Sequence, residues 1–171
     1  MSAGGGALRF LRPQTHPSLV SWNARGGWRS DWQSVQPGVV FATDWMGRLF
    51  LLLAKVQRSD GETAIGLLVP STGESIVLDY SFGVFLGEAL TTDWRNLLEA
   101  DRLDEWRAAG NSAPHFDQVV EPKRRLFLGG SDEICEVEIS PLVVAVSLCG
   151  QMWAKVKDLP PGTPITGVSI K

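Results

Sequence analysis

The stretch that decides the fold is VVFATDWMGRLFLLLAKVQRSDGETAIGLLVPSTGESIVL, residues 39–78. Its short apolar runs are typical of β-strands and cover residues 39–42, 48–56, 63–69 and 75–78. Between these runs lie groups rich in the Gly, Pro, Asp and Ser that tight turns require, at residues 44–47, 59–61 and 70–73. Turns this short join antiparallel neighbours, because parallel neighbours need crossovers of about a dozen residues. The stretch therefore predicts an antiparallel meander.

After residue 78 the hydrophobic period changes from that of a strand to that of a helix. Helices are predicted over residues 82–90, 92–109 and 141–155. The first and third follow Ser81 and Ser140, and the second begins at Thr92; all three residues are of types that commonly cap a helix. Further strands are predicted over residues 126–128, 134–139 and 165–170. The predicted fold class is α+β, with an antiparallel β-sheet (the meander plus later strands) packed against about three to four helices.

The chain of 171 residues fits one domain with a small appendage. Residues 1–36 are rich in Gly, Ser, Pro and Trp without a clear period, so we interpret them as an N-terminal extension. We expect this extension to be partly flexible, with residues 1–6 as a mobile tail. The main domain is predicted over residues 37–171. Trp22, Trp28 and Trp32 lie in the extension, and they would supply a docking surface if they were exposed.

Charge and hydropathy argue against two classes of partner. The chain has 16 basic and 19 acidic residues, and a net charge of −3 exerts no long-range attraction on nucleic acid or an anionic membrane. The longest apolar run, residues 49–54, is too short to span a bilayer. The N-terminus also lacks the pattern of a signal peptide. We therefore expect a cytoplasmic protein with no direct nucleic-acid partner and no membrane partner.

The residue types that carry catalysis or bind metals are scattered along the chain. No zinc-site spacing is present among Cys135, Cys149, His16 and His115. His115 and Asp117 suggest a base with an orienting carboxylate, but no GxSxG nucleophile motif accompanies them. We favour a loop residue at His115, and a cap or a surface charge at Asp117. The sequence therefore predicts no catalytic residues, no metal site and no cofactor, and we expect that the protein is not an enzyme.

Four carboxylates form an acidic ridge late in the chain: Asp132, Glu133, Glu136 and Glu138. Glu136 and Glu138 are two apart on a predicted strand, which would point both side chains to one face. Three interpretations are open for the ridge: a solvated surface, a contact with a basic protein, and a metal site. A contact with a basic surface would accelerate association, and we name all four residues as candidates for partner binding.

The hairpin tip at residues 44–48 also has two interpretations. In the structural one, Asp44 helps to form the turn and pairs with Arg48, while Trp45 covers one end of the sheet. In the functional one, an exposed Trp beside an Arg is the composition of a binding hot spot. The structural interpretation is favoured, but Trp45 and Arg48 are also named as candidate partner-binding residues.

Several segments, taken in order, resemble one known group. Residues 41–50 resemble the F-x-x-D-W-hydrophobic-G-R-x-F opening of bacterial immunity proteins of the SUKH superfamily, which includes the C-terminal domain of type VI secretion immunity proteins. Residues 126–132 are similar to an L-F-L-G-G-x-D segment of that group, and residues 150–153 are similar to a G-Q-x-W segment. The resemblance spans roughly residues 39–165.

The resemblance implies a mixed α/β fold with an antiparallel sheet and no enzymatic activity. It also implies that residues 37–171 form an immunity domain, which neutralises a cognate toxin delivered by neighbouring bacteria by occluding its active site. The toxin in such pairs is often a nuclease, whose basic groove would suit an acidic ridge. The alternative function is that of a non-catalytic scaffold or regulatory subunit in a larger protein assembly.

Overall fold

The computed structural model describes residues 2–160, 162–165 and 167, with side-chain surroundings from residue 5 onward. A six-stranded antiparallel sheet takes its strands in chain order. The strands are β1 (Ser2–Ala3), β2 (Leu8–Phe10), β3 (Gly38–Asp44), β4 (Leu49–Gln57), β5 (Thr63–Val69) and β6 (Glu74–Ser81). A separate antiparallel pair consists of β7 (Gln118–Pro122) and β8 (Val137–Pro141). The predicted meander corresponds to β3–β6, and the predicted α+β class is confirmed.

The α-helices are α1 (Leu19–Asn23), α2 (Phe82–Val84), α3 (Leu90–Thr92), α4 (Trp94–Leu97), α5 (Ala100–Ala108) and α6 (Leu142–Val156). A π-helical segment, Phe85–Ala89, joins α2 to α3, and short 3₁₀ turns cover Gly4–Gly6, Trp28–Ser30, Leu126–Leu128 and Ile134–Glu136. The predicted helix 92–109 is broken, because Asp93 and the left-handed Glu99 (φ 49°) interrupt it. The longest helix in the described ranges, α6, has 15 residues, and no helix there is long and apolar enough to cross a membrane.

The predicted strand over residues 126–128 is wrong, since these residues form a 3₁₀ turn. The chain doubles back here, and the amide of Gly130 donates to the carbonyl of Arg125 at 3.0 Å. A Cβ at Gly130 would lie 1.7 Å from the carbonyl oxygen of Arg124, so only glycine allows this close approach. The strand predicted over residues 134–139 is correct only in its second half. Residues 134–136 form a 3₁₀ turn, and β8 begins at Val137. The strand predicted over residues 165–170 falls largely outside the described residues.

The large sheet buries a hydrophobic cluster on each of its faces. One cluster joins the strands to α1, the Trp28–Ser30 turn and α6, and it includes Trp22, Trp32, Leu51 and Cys149. The other joins the strands to the helical region 82–108, and it includes Trp45, Phe50, Phe85 and Trp106. The sheet is therefore covered on both faces, which explains the continuous apolar run in β4.

The expectation of a separate N-terminal extension is corrected by the packing of residues 5–36. Strand β2 pairs with β3, with Leu8 opposite Asp44, and β1 pairs in turn with β2. Trp22, Trp28 and Trp32 are 4%, 3% and 1% exposed within the first cluster, so they do not form a docking surface. The indole N–H of Trp32 donates to the carbonyl of Val146 at 2.9 Å, which ties this segment to α6. Large aromatic area needs burial, and the N-terminal segment supplies part of the core.

Candidate functional site

The four predicted acidic residues are all on the surface, in the segment of the chain between α5 and α6. Asp132 and Glu133 belong to the loop before the 3₁₀ turn Ile134–Glu136. Glu136 is the last residue of that turn, and Glu138 lies in β8. All four side chains are exposed. We call these residues, Asp132, Glu133, Glu136 and Glu138, the acidic strip. The alternation argument for Glu136 and Glu138 fails, because only Glu138 lies in a strand.

The strip is attached to the fold through β7. Glu138 lies opposite Glu121 in the β7–β8 ladder, and the amide of Lys123 donates to the carbonyl of Glu136 at 2.9 Å. On the other side of β7, the amide of Val120 donates to the carbonyl of Trp45 at 2.8 Å. The two-stranded sheet is therefore hydrogen-bonded to the β3–β4 turn, and β8 is its outer strand.

The electrostatic surroundings separate Asp132 from the rest of the strip. The carboxylate of Asp132 forms an ion pair with the guanidinium of Arg102 at 3.0 Å. Glu133, Glu136 and Glu138 have no ion pair with any residue that the structure describes. The nearby ammonium of Lys123 is instead bonded to the carbonyl of Cys135 at 2.7 Å. Three exposed carboxylates are thus left without a neutralising cation from the described chain.

Trp45 does not belong to an exposed contact. Its side chain is 1% exposed, and its indole N–H donates to the carbonyl of Leu98 at 2.9 Å. Trp45 therefore packs between the β3–β4 turn and the helical layer, as the structural interpretation expected. The expectation of a hot spot at this residue is corrected, because a partner cannot reach a side chain that is buried in the core.

Arg48 is likewise buried, at 7% exposure, and every bond it makes is internal. Its guanidinium donates to Asp44 at 2.5 Å, to Glu99 at 2.6 Å and to the carbonyl of Leu97 at 2.9 Å. Burial disfavours the guanidinium charge, but Asp44 and Glu99 outweigh that cost and raise the pKa of Arg48 above its ordinary value. The predicted pair with Asp44 is confirmed, and the predicted exposed contact is corrected.

Sequence reasoning missed two residues that connect this buried cluster to the acidic strip. Glu99 bonds Arg48 with one carboxylate oxygen and pairs with Arg102 at 3.3 Å through the other. Arg102 then reaches Asp132. A chain of charges therefore runs from the β3–β4 turn to the strip. Arg48 and Glu99 are 51 positions apart, and no local spacing pattern predicts such a contact.

The catalytic candidates His115 and Asp117 are exposed residues of the segment before β7, whereas Cys149 is buried. The carbonyls of His115, Gln118 and Asp44 accept from the buried guanidinium of Arg9, and burial lowers the pKa of Arg9 to about 10. Burial raises the pKa of Cys149 to about 12, which leaves it a poor nucleophile at neutral pH. Within the described ranges no three His, Cys, Asp or Glu residues are grouped so that they could hold a metal ion.

A surface groove of about 720 Å³ lies between the segment after the Trp28–Ser30 turn and the C-terminal half of α6. Its walls include Asp31 and Trp153. The carboxylate of Asp31 accepts from the hydroxyl of Ser147 at 2.7 Å, a bond that holds α6 against the N-terminal segment. No residue of the acidic strip lines this groove.

Comparisons with known proteins add no family to this description. The sequence matches no protein-family model, and no curated protein is significantly similar to it. The resemblance to SUKH immunity proteins therefore stays a prediction that rests on the motifs themselves.

Proposed function

We propose that this protein is an immunity protein of the SUKH type. It acts in the cytoplasm, where it binds a cognate bacterial toxin and occludes the toxin's active site without catalysing a reaction. The observation that carries the proposal is the acidic strip, in which Glu133, Glu136 and Glu138 are exposed and lack ion pairs with described residues. The motif resemblance supplies the class of partner, and a nuclease is the toxin class that it favours.

The strip has the electrostatic character that a basic partner requires. Glu133, Glu136 and Glu138 concentrate negative charge on one short exposed segment, and no cation of the described chain neutralises it. A basic surface would attract this negative charge before contact, which raises the association rate. A nuclease presents such a surface, because its substrate groove must bind phosphates.

The strip is also held in place before a partner arrives. The β7–β8 ladder fixes the backbone of Glu138, the amide of Lys123 fixes the backbone of Glu136, and the Arg102 pair holds the side chain of Asp132. A surface that is already ordered loses less conformational entropy on binding. An ordered backbone beneath the strip therefore favours tight binding to the toxin.

The proposal is tested with the product of the gene adjacent to that of this protein, taken as the candidate toxin. The association rate and the toxin's activity are measured with the unmodified chain and with the double variant Glu136→Gln/Glu138→Gln. The variant keeps the shape of both side chains and removes two charges from the strip. We expect inhibition by the unmodified chain, and roughly tenfold slower association for the variant at low salt.

The matched control is Glu62→Gln/Glu88→Gln, which removes two exposed carboxylates outside the strip. We expect this control to associate at nearly the unmodified rate. Equal slowing by both variants would show that only net charge matters and would reject the strip as the contact. Failure of the unmodified chain to bind or inhibit the toxin domain would reject the proposed function. The scaffold alternative required the Trp residues of the N-terminal segment to be exposed. They are buried, so they do not support it.

A further inference from the structure

Strand β6 is the last strand of the large sheet in the part of the chain that the structure describes. Within the described ranges it pairs only with β5. Leu78 lies opposite Ile65 at one end of the regular pairing, and Glu74 lies opposite Val69 at the other. None of its backbone groups from residues 75 to 80 bonds a described residue on the far side. An edge strand presents such groups as a row of donors and acceptors, which is a template for another strand.

The usual protections of an edge strand are missing from the first part of β6. Ile76 and Val77 are 49% and 55% exposed, and as neighbours in a strand they point to opposite faces of the sheet. No charged residue or Pro lies between Ser75 and Leu78. The one irregularity is a register shift between Ala64 and Ile65, which breaks the pairing after Leu78. Residues 74–78, called the flat segment below because their register with β5 contains no bulge, therefore present apolar side chains on both faces.

We propose that β6 pairs antiparallel with β6 of a second copy, so that a homodimer forms around one continuous sheet. Directly opposed residues in an antiparallel pair are of the same hydrogen-bonding type, so a strand that pairs with itself must be centred on a residue. A centre at Ile76 uses the whole flat segment. It places Ile76 opposite Ile76 of the second copy, Ser75 opposite Val77, and Glu74 opposite Leu78.

The charges of β6 permit this register. Glu74 and Asp79 are an odd number of positions apart, so self-pairing cannot place them directly opposite each other. With the centre at Ile76, each Glu74 lies opposite an apolar Leu78. Asp79 is already paired with Arg58 at 2.5 Å and lies past the end of the flat segment. No two like charges are opposed, which favours a second copy as the occupant.

The first test is the mass of the protein alone by sedimentation velocity across a concentration series, without any toxin. We expect twice the chain mass of 18.7 kDa at the upper end of the series. Ile76→Lys places two lysines opposite each other on the two-fold axis, so we expect its mass to fall twofold to that of the monomer. The control Val20→Lys adds the same charge at a valine that is 70% exposed on α1, and it should stay dimeric.

The second test reads the register and does not depend on how well the lysine variant folds. In a Cys135→Ser background, Ile76→Cys should form a disulfide-linked dimer on mild oxidation, because opposed Cα atoms lie about 5 Å apart. Val77→Cys should not, because its Cα would lie roughly 8 Å from that of its symmetry mate.

A chain that stays monomeric throughout the series would overturn the proposal, as would a dimer that Ile76→Lys leaves intact. Crosslinking of both cysteine variants, or of Val77→Cys alone, would overturn the register. Binding of β6 by an extended peptide from another protein, with the chain alone monomeric, would also contradict self-pairing. None of these results bears on toxin inhibition, so this inference and the proposed function fail separately.

Discussion

The Arg48 cluster (Asp44, Arg48 and Glu99) and the acidic strip both contain Asp and Glu carboxylates, but in opposite surroundings. Arg48 is buried, and its guanidinium bonds Asp44, Glu99 and a backbone carbonyl. Glu138, in the strip, is exposed and has no ion pair with the described residues. Both regions contain residues that the sequence nominated for partner contact. The comparison teaches that the number of internal partners, and not the residue type, separates a structural charge from one that is available for binding.

Physical chemistry explains why the two regions should respond differently to substitution. A buried charge is stable only while its partners are present, because its desolvation is otherwise uncompensated. An exposed charge is solvated whether or not a partner is present, so its loss costs the fold little. The following predictions break or sharpen this contrast, beginning with the largest expected effect.

Arg48→Met should destabilise the fold by about 3–5 kcal/mol, because it leaves the fully buried carboxylate of Asp44 without its cation. The free energy of unfolding in urea measures the effect. Arg25→Met is the control, since Arg25 is exposed, and it should cost less than about 0.5 kcal/mol. Similar losses for both variants would mean that Arg48 is not the centre of a buried cluster.

Trp45→Phe should cost about 2 kcal/mol, because it removes the indole N–H and leaves the buried carbonyl of Leu98 without its donor. The half-buried Trp94 provides the control, and Trp94→Phe should cost clearly less. The same urea titrations measure both variants. A neutral Trp45→Phe would restore the hypothesis that this residue is exposed and available to a partner.

The buried thiol of Cys149, which is uncharged at neutral pH, predicts a pH dependence of stability. Burial raises its folded pKa to about 12, above the ordinary 9, so between these values the unfolded chain binds fewer protons than the folded one. Stability should therefore fall as pH rises above 9, at a rate of at most about 1.4 kcal/mol per pH unit from this group.

The measurement for Cys149 is the difference in unfolding free energy between the unmodified chain and Cys149→Ala at several pH values. The variant lacks the thiol, so the difference should be constant below pH 9 and shrink above it. A difference that stays constant to higher pH would show that the thiol is accessible to solvent in the folded state.

The smallest stability effect is expected for Glu136→Gln/Glu138→Gln. Both carboxylates are exposed, so the change should stay within about 0.5 kcal/mol in either direction. Thermal unfolding monitored by circular dichroism checks this value. A large destabilisation would show that the strip is structural, and it would remove the contrast with the Arg48 cluster.

Local chemistry made part of this fold predictable. The turns at residues 44–47, 59–61 and 70–73 lie where their composition placed them, and β3–β6 follow from the runs between. The helix after Ser140 also forms, as α6, although its valines favour strands. The turns are determined by residues close together in sequence. The predicted cap of α6 is wrong, because Ser140 lies in β8 and Pro141 stands at the N-cap without a side-chain bond.

The rest depends on contacts between distant residues. Strand β2 has only three residues, and its pairing with β3 joins positions more than thirty apart. The burial of Trp45 depends on the carbonyl of Leu98, and that of Arg48 depends on Glu99. The composition of the hairpin tip was compatible with both an exposed and a buried site, and only the tertiary partners distinguish them.

The central claim is that the acidic strip is the surface that meets the toxin. Hydrogen–deuterium exchange of this chain, alone and in complex with the candidate toxin domain, tests that claim most directly. We predict slower exchange in the complex for the amides of residues 131–140, with the β3–β4 turn unchanged. Unchanged exchange over residues 131–140, with protection elsewhere on the chain, would contradict the account.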